Sequence, residues 1–322
     1  MNRLCELLSI QYPFIQGGMG NISSPILASA VSEAGGLGTI GTGTLSVDEV
    51  ELLLLEMKKR TKKSFALNIP ISVTPHLKGL CELAVKHSVP VVSLSAGNPS
   101  PYIPYFKEHH IKVICVTASV KHARKAEIAG ADLIVGEGFE AAGINSPLEL
   151  TTMTLIPQLV ANVEIPVVAA GGVGDSKGFA AALALGAEGV QMGTRLIATK
   201  ESPYHERYVK KLLEATDTET VIVGRSVGKV RRVLKTAYAD QLIDAEGAGI
   251  HPDDFEAMTD EEKHRIGAVE GRLEEGFING GQISGLVTSI PTVQELFTEM
   301  IEGAERVYEH QMKVIRDFYL KQ

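Results

Sequence analysis

Two glycine-rich segments in the middle of the chain have the residue types and spacing to bind an anion. Val167-Val168-Ala169-Ala170-Gly171-Gly172-Val173-Gly174 reads as a buried strand running into a glycine turn, with a helix from Ser176. Gly189-Val190-Gln191-Met192-Gly193-Thr194-Arg195 is a second strand closing on Gly-Thr. Backbone N–H groups without side chains in the way, next to a helix start, can cradle a phosphate monoester. The bland alternative is that these glycines only make tight turns. Further apolar runs end on Gln16-Gly17-Gly18-Met19-Gly20, Asn68, Ser95-Ala96-Gly97-Asn98, Thr117 and Glu137-Gly138. Singly, each serves equally well as a helix cap. Gathered around one pocket, their amides, hydroxyls and approachable backbone suit the imide edge and ribityl hydroxyls of a flavin.

Two other glycine patterns do not survive inspection. Gly36-Leu37-Gly38-Thr39-Ile40-Gly41 satisfies G-x-G-x-x-G, but it follows a helix and forms a strand, the reverse of a dinucleotide fingerprint. Gly224-Arg225-Ser226-Val227-Gly228-Lys229 is one residue short of a P-loop, and Val230 stands where Ser or Thr is needed.

These segments need a scaffold that brings strand ends together. Short Val- and Ile-rich runs occur at Phe14–Gly18, Leu37–Gly41, Phe65–Ile69, Val89–Gly97, Lys112–Thr117, Leu133–Glu137, Ile165–Gly172 and Gly189–Gly193. Continuous apolar runs of this length are parallel strands buried on both faces. Helical stretches lie between them, such as Ser24–Ala34 before Gly35-Gly36 and Val47–Lys59 after Ser46. Eight such units predict a (β/α)8 TIM barrel over 1–199, the strand ends at residues 167–174 and 189–195 being neighbours at its C-terminal face. The charged stretch 200–281 predicts a helical insertion or lid after the eighth strand, and 282–322 supplies the closing helix. The run Lys58-Lys59-Arg60-Thr61-Lys62-Lys63 ends a helix, where solvated cations suit the dipole.

Composition narrows the function classes. Of 322 residues 44% are hydrophobic and 22% charged, which excludes a disordered chain. A formal charge of -8 argues against a nucleic-acid binder. Cys5, Cys81 and Cys115 form no C-x-x-C pair, so neither a disulfide framework nor a metal site is expected. Glu6 interrupts any secretory apolar region, no apolar run reaches membrane-span length, and the Asn21-Ile22-Ser23 sequon reads as chance, so a cytoplasmic protein without membrane contact is expected.

Pro13–Met19, Ala66–Ile69, Glu137–Gly143, Val167–Gly174, Gly193-Thr194-Arg195 and Arg232–Lys235 together resemble the nitronate monooxygenase (2-nitropropane dioxygenase) family, especially its enoyl-acyl-carrier-protein reductase II branch. The resemblance runs in order over nearly the whole chain. It implies an FMN-binding TIM barrel that takes electrons from NADH or NADPH, or directly from a nitronate. It carries FMN contacts onto Gly17, Gly18, Met19, Asn68, Glu137, Gly171, Gly172, Gly193 and Thr194. One position departs from the family motif Glu-Gly-x-Glu-x-Gly-Gly-His: Ile144 stands where the catalytic histidine belongs. Isoleucine cannot move a proton, whereas oxidation of a neutral nitroalkane and reduction of an enoyl group each need one moved.

Candidates to line the substrate side in its place are Asn145, Ser146 and His76, the last after the third strand at the catalytic face. His109-His110 falls at the opposite end, while His205, His251, His264, Tyr204 and Tyr238 reach the pocket only if the insertion folds over it. Arg225, Lys229, Arg231, Arg232 and Lys235 form a basic cluster in an acidic protein, suited to a nucleotide phosphate or a phosphopantetheine arm, or equally to ion pairs within the insertion. The combined expectation is an FMN-dependent NAD(P)H oxidoreductase, a homodimer, reducing a small quinone-like or enoyl acceptor. Nitronate oxidation by O2, enoyl-thioester reduction and a flavin-free phosphate-ligand barrel are the alternatives.

Overall fold

Residues 2–320 are described by the computed structural model. Eight parallel strands form the central sheet: β1 (Phe14–Gln16), β2 (Gly38–Gly41), β3 (Phe65–Pro70), β4 (Val91–Ser95), β5 (Lys112–Thr117), β6 (Leu133–Glu137), then β8 (Val167–Ala170) and β9 (Gly189–Met192). A two-residue strand, β7 (Gly143–Ile144), lies outside this sheet. Strand order is β1-β9-β8-β6-β5-β4-β3-β2, and a parallel bridge between Ile15 and Leu37 closes the ring. The expected TIM barrel is therefore present, with every expected strand in place.

Inside the ring, residues from the strand starts build an apolar plug. Leu37, Val91, Ile114 and Leu133 pack with Leu4 and Leu8 of the N-terminal helix Arg3–Leu8, which seals that end. Outside, helix faces and strand residues make the larger shell of core, as expected for strands buried on both sides. Helix Val47–Arg60 shows how local sequence sets a boundary: Ser46 and Glu49 form a capping box, and Lys58, Lys59 and Arg60 occupy its last turn. No helix among the described residues is long and apolar enough to cross a membrane.

The segment after β9 contains more than the helices expected of it. Helices Glu206–Leu213, Ala237–Gly247, Pro252–Met258 and Glu261–Ala268 are joined by a hairpin of β10 (Thr220–Val223) and β11 (Arg231–Leu234). β11 also pairs antiparallel with β7, Arg231 opposite Ile144 and Arg232 opposite Gly143. The hairpin escapes a pattern search because β11 opens on two arginines and each strand has four residues. The near-P-loop sequence Gly224–Lys229 is its turn, and Gly38–Gly41 of the other glycine pattern is β2.

The chain returns through the short turn Gln282–Leu286 to the long helix Val293–Leu320. This helix crosses helix Ser176–Ala184 closely, with Tyr308 Oη donating to the Ala180 carbonyl at 2.8 Å. Phe297 is fully buried, its ring 4.7 Å from that of Phe14 on β1. Replacing a buried phenylalanine with alanine costs about 3–5 kcal/mol. Phe297→Ala should lower the unfolding free energy by that amount in urea titrations; an unchanged midpoint would contradict this helix being part of the barrel core.

Candidate active site

The polar halves of the strands converge on a cavity of about 690 Å³ at their C-terminal ends. Its volume falls within the roughly 300–1,000 Å³ of small-molecule and cofactor sites. All nine positions to which the resemblance assigns FMN contacts line it, five of them glycines. At one side Gly18 lies so close to Asn68 that an added Cβ would come within 2.2 Å of Asn68 Oδ1. Asn68 cannot easily yield, because its Nδ2 donates to the Ser93 carbonyl at 3.2 Å and to Ser95 Oγ at 3.1 Å.

On the β8–β9 side, Gly171 and Gly172 have φ of +85° and +75°, a left-handed pair that side chains would strain. A Cβ at Gly193 would meet nothing within 4 Å; the space it would enter is open cavity. Thr194 Oγ1 accepts from the Gly281 N–H at 3.0 Å and keeps its own hydrogen for a ligand. Glu140 accepts from the Thr152 N–H at 3.0 Å, tying the loop between β6 and β7 to the start of helix Thr152–Val160, and Thr152 Oγ1 in turn donates to the Gly171 carbonyl at 2.9 Å. Thr117 Oγ1 and Asn279 Oδ1, both on lining residues, are buried with no partner in the protein.

Burial strongly shifts Glu137, His264 and Tyr208 in the wall, the Tyr208 hydroxyl upward. Burial pushes the Glu137 carboxyl at the end of β6 up to about 7. His264, on helix Glu261–Ala268, is 3% exposed and stacks on Phe277 with ring centroids 5.2 Å apart. Burial, and then the charge of Arg231, lowers its pKa to about 3, so it is neutral near pH 7. His264 Nε2 lies 3.2 Å from Asn279 Nδ2.

The substrate-side candidates are distributed unevenly. Ile144 is 46% exposed and forms an apolar part of the wall. Asn145 lines the cavity, but its Nδ2 donates to the Ala141 and Gly143 carbonyls, which holds its own loop together. Ser146 also lines it, with Oγ accepting from the Leu148 N–H. His76 is exposed at the start of helix Leu77–Lys86 and does not line the cavity, because the chain has already turned away from the strand ends there. His205 and His251 cap helices, His109 and His110 are exposed after helix Ile103–Glu108, and Tyr204 and Tyr238 bond to Met19 Sδ and the Met258 carbonyl. Of the insertion histidines only His264 reaches the cavity; His122 stands exposed at the rim.

The basic cluster splits. Arg225 pairs with Glu149 at 2.7 Å and Lys229 with Glu256 at 2.9 Å, both outside, and Arg232 donates to the Phe139 carbonyl. Arg231 alone turns into the cavity wall. Sequence reading missed this separation, and it missed Gln191, Asn279 and Glu261 as lining residues. The spacing of Glu261 and His264, three apart on one helix, was the available signal that they share a face.

A closed parallel barrel with a polar, glycine-lined cavity at its strand ends is the arrangement of a TIM-barrel enzyme. The nitronate monooxygenase family model matches residues 1–77 and 76–303, and the chain belongs to that family. FabK from Thermotoga maritima is 39% identical with a TM-score of 0.93, over 98% of this chain and 99% of that one. A Rhodococcus jostii 5-hydroxy-7a-methyl-1-oxo-octahydro-1H-indene-4-carboxyl-CoA dehydrogenase is 31% identical over 94% of this chain and 95% of its own. A probable nitronate monooxygenase of Staphylococcus saprophyticus is 32% identical over 74% of this chain and 80% of its own. The protein is accordingly an oxidoreductase of the flavin-dependent nitronate monooxygenase and enoyl reductase II superfamily.

The Glu137 shift has a stability consequence of definite sign. Raised from 4.5 to about 7, the folded protein holds a proton that the unfolded chain releases between those values. Stability therefore drops as pH climbs through that window, by up to ~3 kcal/mol. Urea unfolding of Glu137→Gln against wild type should show a difference that grows in the variant's favour from pH 4.5 to 7.5. A pH-independent difference would contradict a raised carboxyl pKa at Glu137.

Proposed function

We propose that the protein is an FMN-dependent NAD(P)H oxidoreductase that reduces a small organic acceptor, quinone-like or enoyl. The observation that carries this reading is the cavity itself. It has a cofactor's volume, a side-chain-free recess at Gly193 beside Gly171 and Gly172, and an orphaned hydroxyl at Thr117. In it Gly171, Gly172, Gly193 and Thr194 would hold the phosphate, Gly17 to Met19 would lie against the ring, and Asn68 and Glu137 would face its polar edges. FMN bound there supplies hydride transfer from a reduced nicotinamide to the acceptor.

The protein's own groups disfavour nitroalkane oxidation, whereas a quinone-like acceptor reduced by the flavin can take its protons from water. Removing the α-proton of a neutral nitroalkane needs a base at the substrate. Ile144 offers none, and His264 with a pKa near 3 is too weak a base for the task. Likeness over nearly the full length to FabK, an enoyl-acyl-carrier-protein reductase II, and to a carboxyl-CoA dehydrogenase favours a thioester among possible acceptors. A second reading, oxidation of alkyl nitronates by O2, is favoured by the family match and by Ile144 itself, because a nitronate is already deprotonated.

Anaerobic stopped-flow mixing of the FMN-loaded protein with NADH, NADPH and propyl-2-nitronate separates these readings. Flavin bleaching by a nicotinamide and not by the nitronate is expected; bleaching by the nitronate alone would replace the reductase reading with the monooxygenase. The binding mode has its own check. Gly193→Val places its side chain in open space, so apoprotein stability should be unchanged while FMN affinity drops about tenfold or more. Unaltered FMN affinity would place the phosphate elsewhere.

A further inference from the structure

We infer that Arg231 is the anchor for a planar two-oxygen anion, a carboxylate or a nitronate, borne by the molecule that reacts in this cavity. The inference concerns the substrate side of this cavity and rests on its reading above as a flavin site.

Arg231 is 8% exposed and lines the cavity. It stands directly opposite Ile144 across the β7–β11 pair, and opposed residues of an antiparallel pair project from the same face. Its guanidinium carbon lies 4.7 Å from the centroid of the Phe277 ring. That stacking fixes the plane of the group but leaves its five N–H donors, which lie in that plane, unmatched. Among the described residues the Arg231 side chain makes no hydrogen bond and no ion pair, whereas Arg225, Lys229 and Arg232 of the same hairpin all do.

The acidic groups whose charge acts on Arg231 are Glu261 and Asp260. Both are engaged elsewhere: Glu261 accepts from the Asn21 N–H at 3.0 Å, and Asp260 from the Lys263 N–H at 2.8 Å. The other titratable neighbour, His264, is held neutral by its burial.

A buried, permanently charged guanidinium without an acceptor is costly unless something brings one. Its planar fork matches a carboxylate or nitronate edge-on with two parallel hydrogen bonds, a geometry lysine cannot reproduce. Arginine cannot exchange a proton near neutrality, so this wall of the cavity holds charge rather than moving protons. The phosphate recess at Gly193 is built by β8 and β9 and their loops, separate from the β7–β11 pair, so the two anion positions are distinct.

Flavin difference spectra and calorimetry on the FMN-loaded protein test the assignment. The probes are crotonate and propyl-2-nitronate, each against its neutral counterpart, crotonamide and 2-nitropropane. Both anions should bind saturably and the neutral molecules more weakly. Arg231→Met should weaken anion binding by about tenfold to a hundredfold with FMN affinity unchanged. Arg231→Gln carries the same expectation and serves if the methionine variant does not fold. Tighter Arg231-dependent binding of crotonate assigns the anion to a carboxylate, and of the nitronate to a nitronate; either result supports the anchor. Equal binding of crotonate and crotonamide, or anion affinity indifferent to residue 231, would overturn it. Arg231-dependent crotonate binding by a chain that takes up no FMN would sink the flavin reading and leave the anchor standing.

Discussion

Eight short parallel strands close on one another only if side chains fill the space they enclose, and here that filling is confined to one end. Leu37, Val91, Ile114 and Leu133 meet Leu4 and Leu8 near the strand starts, and the N-terminal helix completes the plug. With the strand starts fully packed, the strand ends are free to carry Asn68, Ser95, Thr117, Glu137 and Gln191, which would be costly inside an apolar core. The same division explains the depth of the cavity and the shift of Glu137, a carboxyl sitting just above the apolar plug.

What covers the cavity depends on one small sheet. β7 is only two residues long, but its pairing with β11 ties the loop after β6 to the insertion, and Arg232 secures the junction through the Phe139 carbonyl. This places Ile144, Arg231, His264 and Asn279 along a common wall of the cavity. The replacement of a proton carrier by isoleucine at position 144 is thus not an isolated change: a buried arginine faces the same space from the next strand.

Much of this was legible in the sequence, for physical reasons. Strands buried on both faces leave uninterrupted Val and Ile runs, and glycines at the ends of β8 and β9 mark where backbone must approach a ligand. The positions in those turns lie where the barrel topology requires. What was not legible depends on side-chain direction or on contacts between distant segments. The β10–β11 hairpin is too short and too charged to show alternation. His76 follows the third strand, as a catalytic-face residue would, but two turns carry it outside. Asn145 has the chemistry to orient a substrate, yet its amide is engaged by its own loop. Arg231 could be told from Arg225, Lys229 and Arg232 only after each of those three had found a partner in space.

The central claim is that this cavity holds a flavin with its phosphate at the β8–β9 ends. A crystal structure of the FMN-loaded protein tests that most directly. The account predicts the phosphate against Gly171, Gly172 and Gly193, the ring beside Gly18, and Ile144 and Arg231 facing the open side of the ring. A flavin bound in another orientation, or a phosphate away from Gly193, would contradict it.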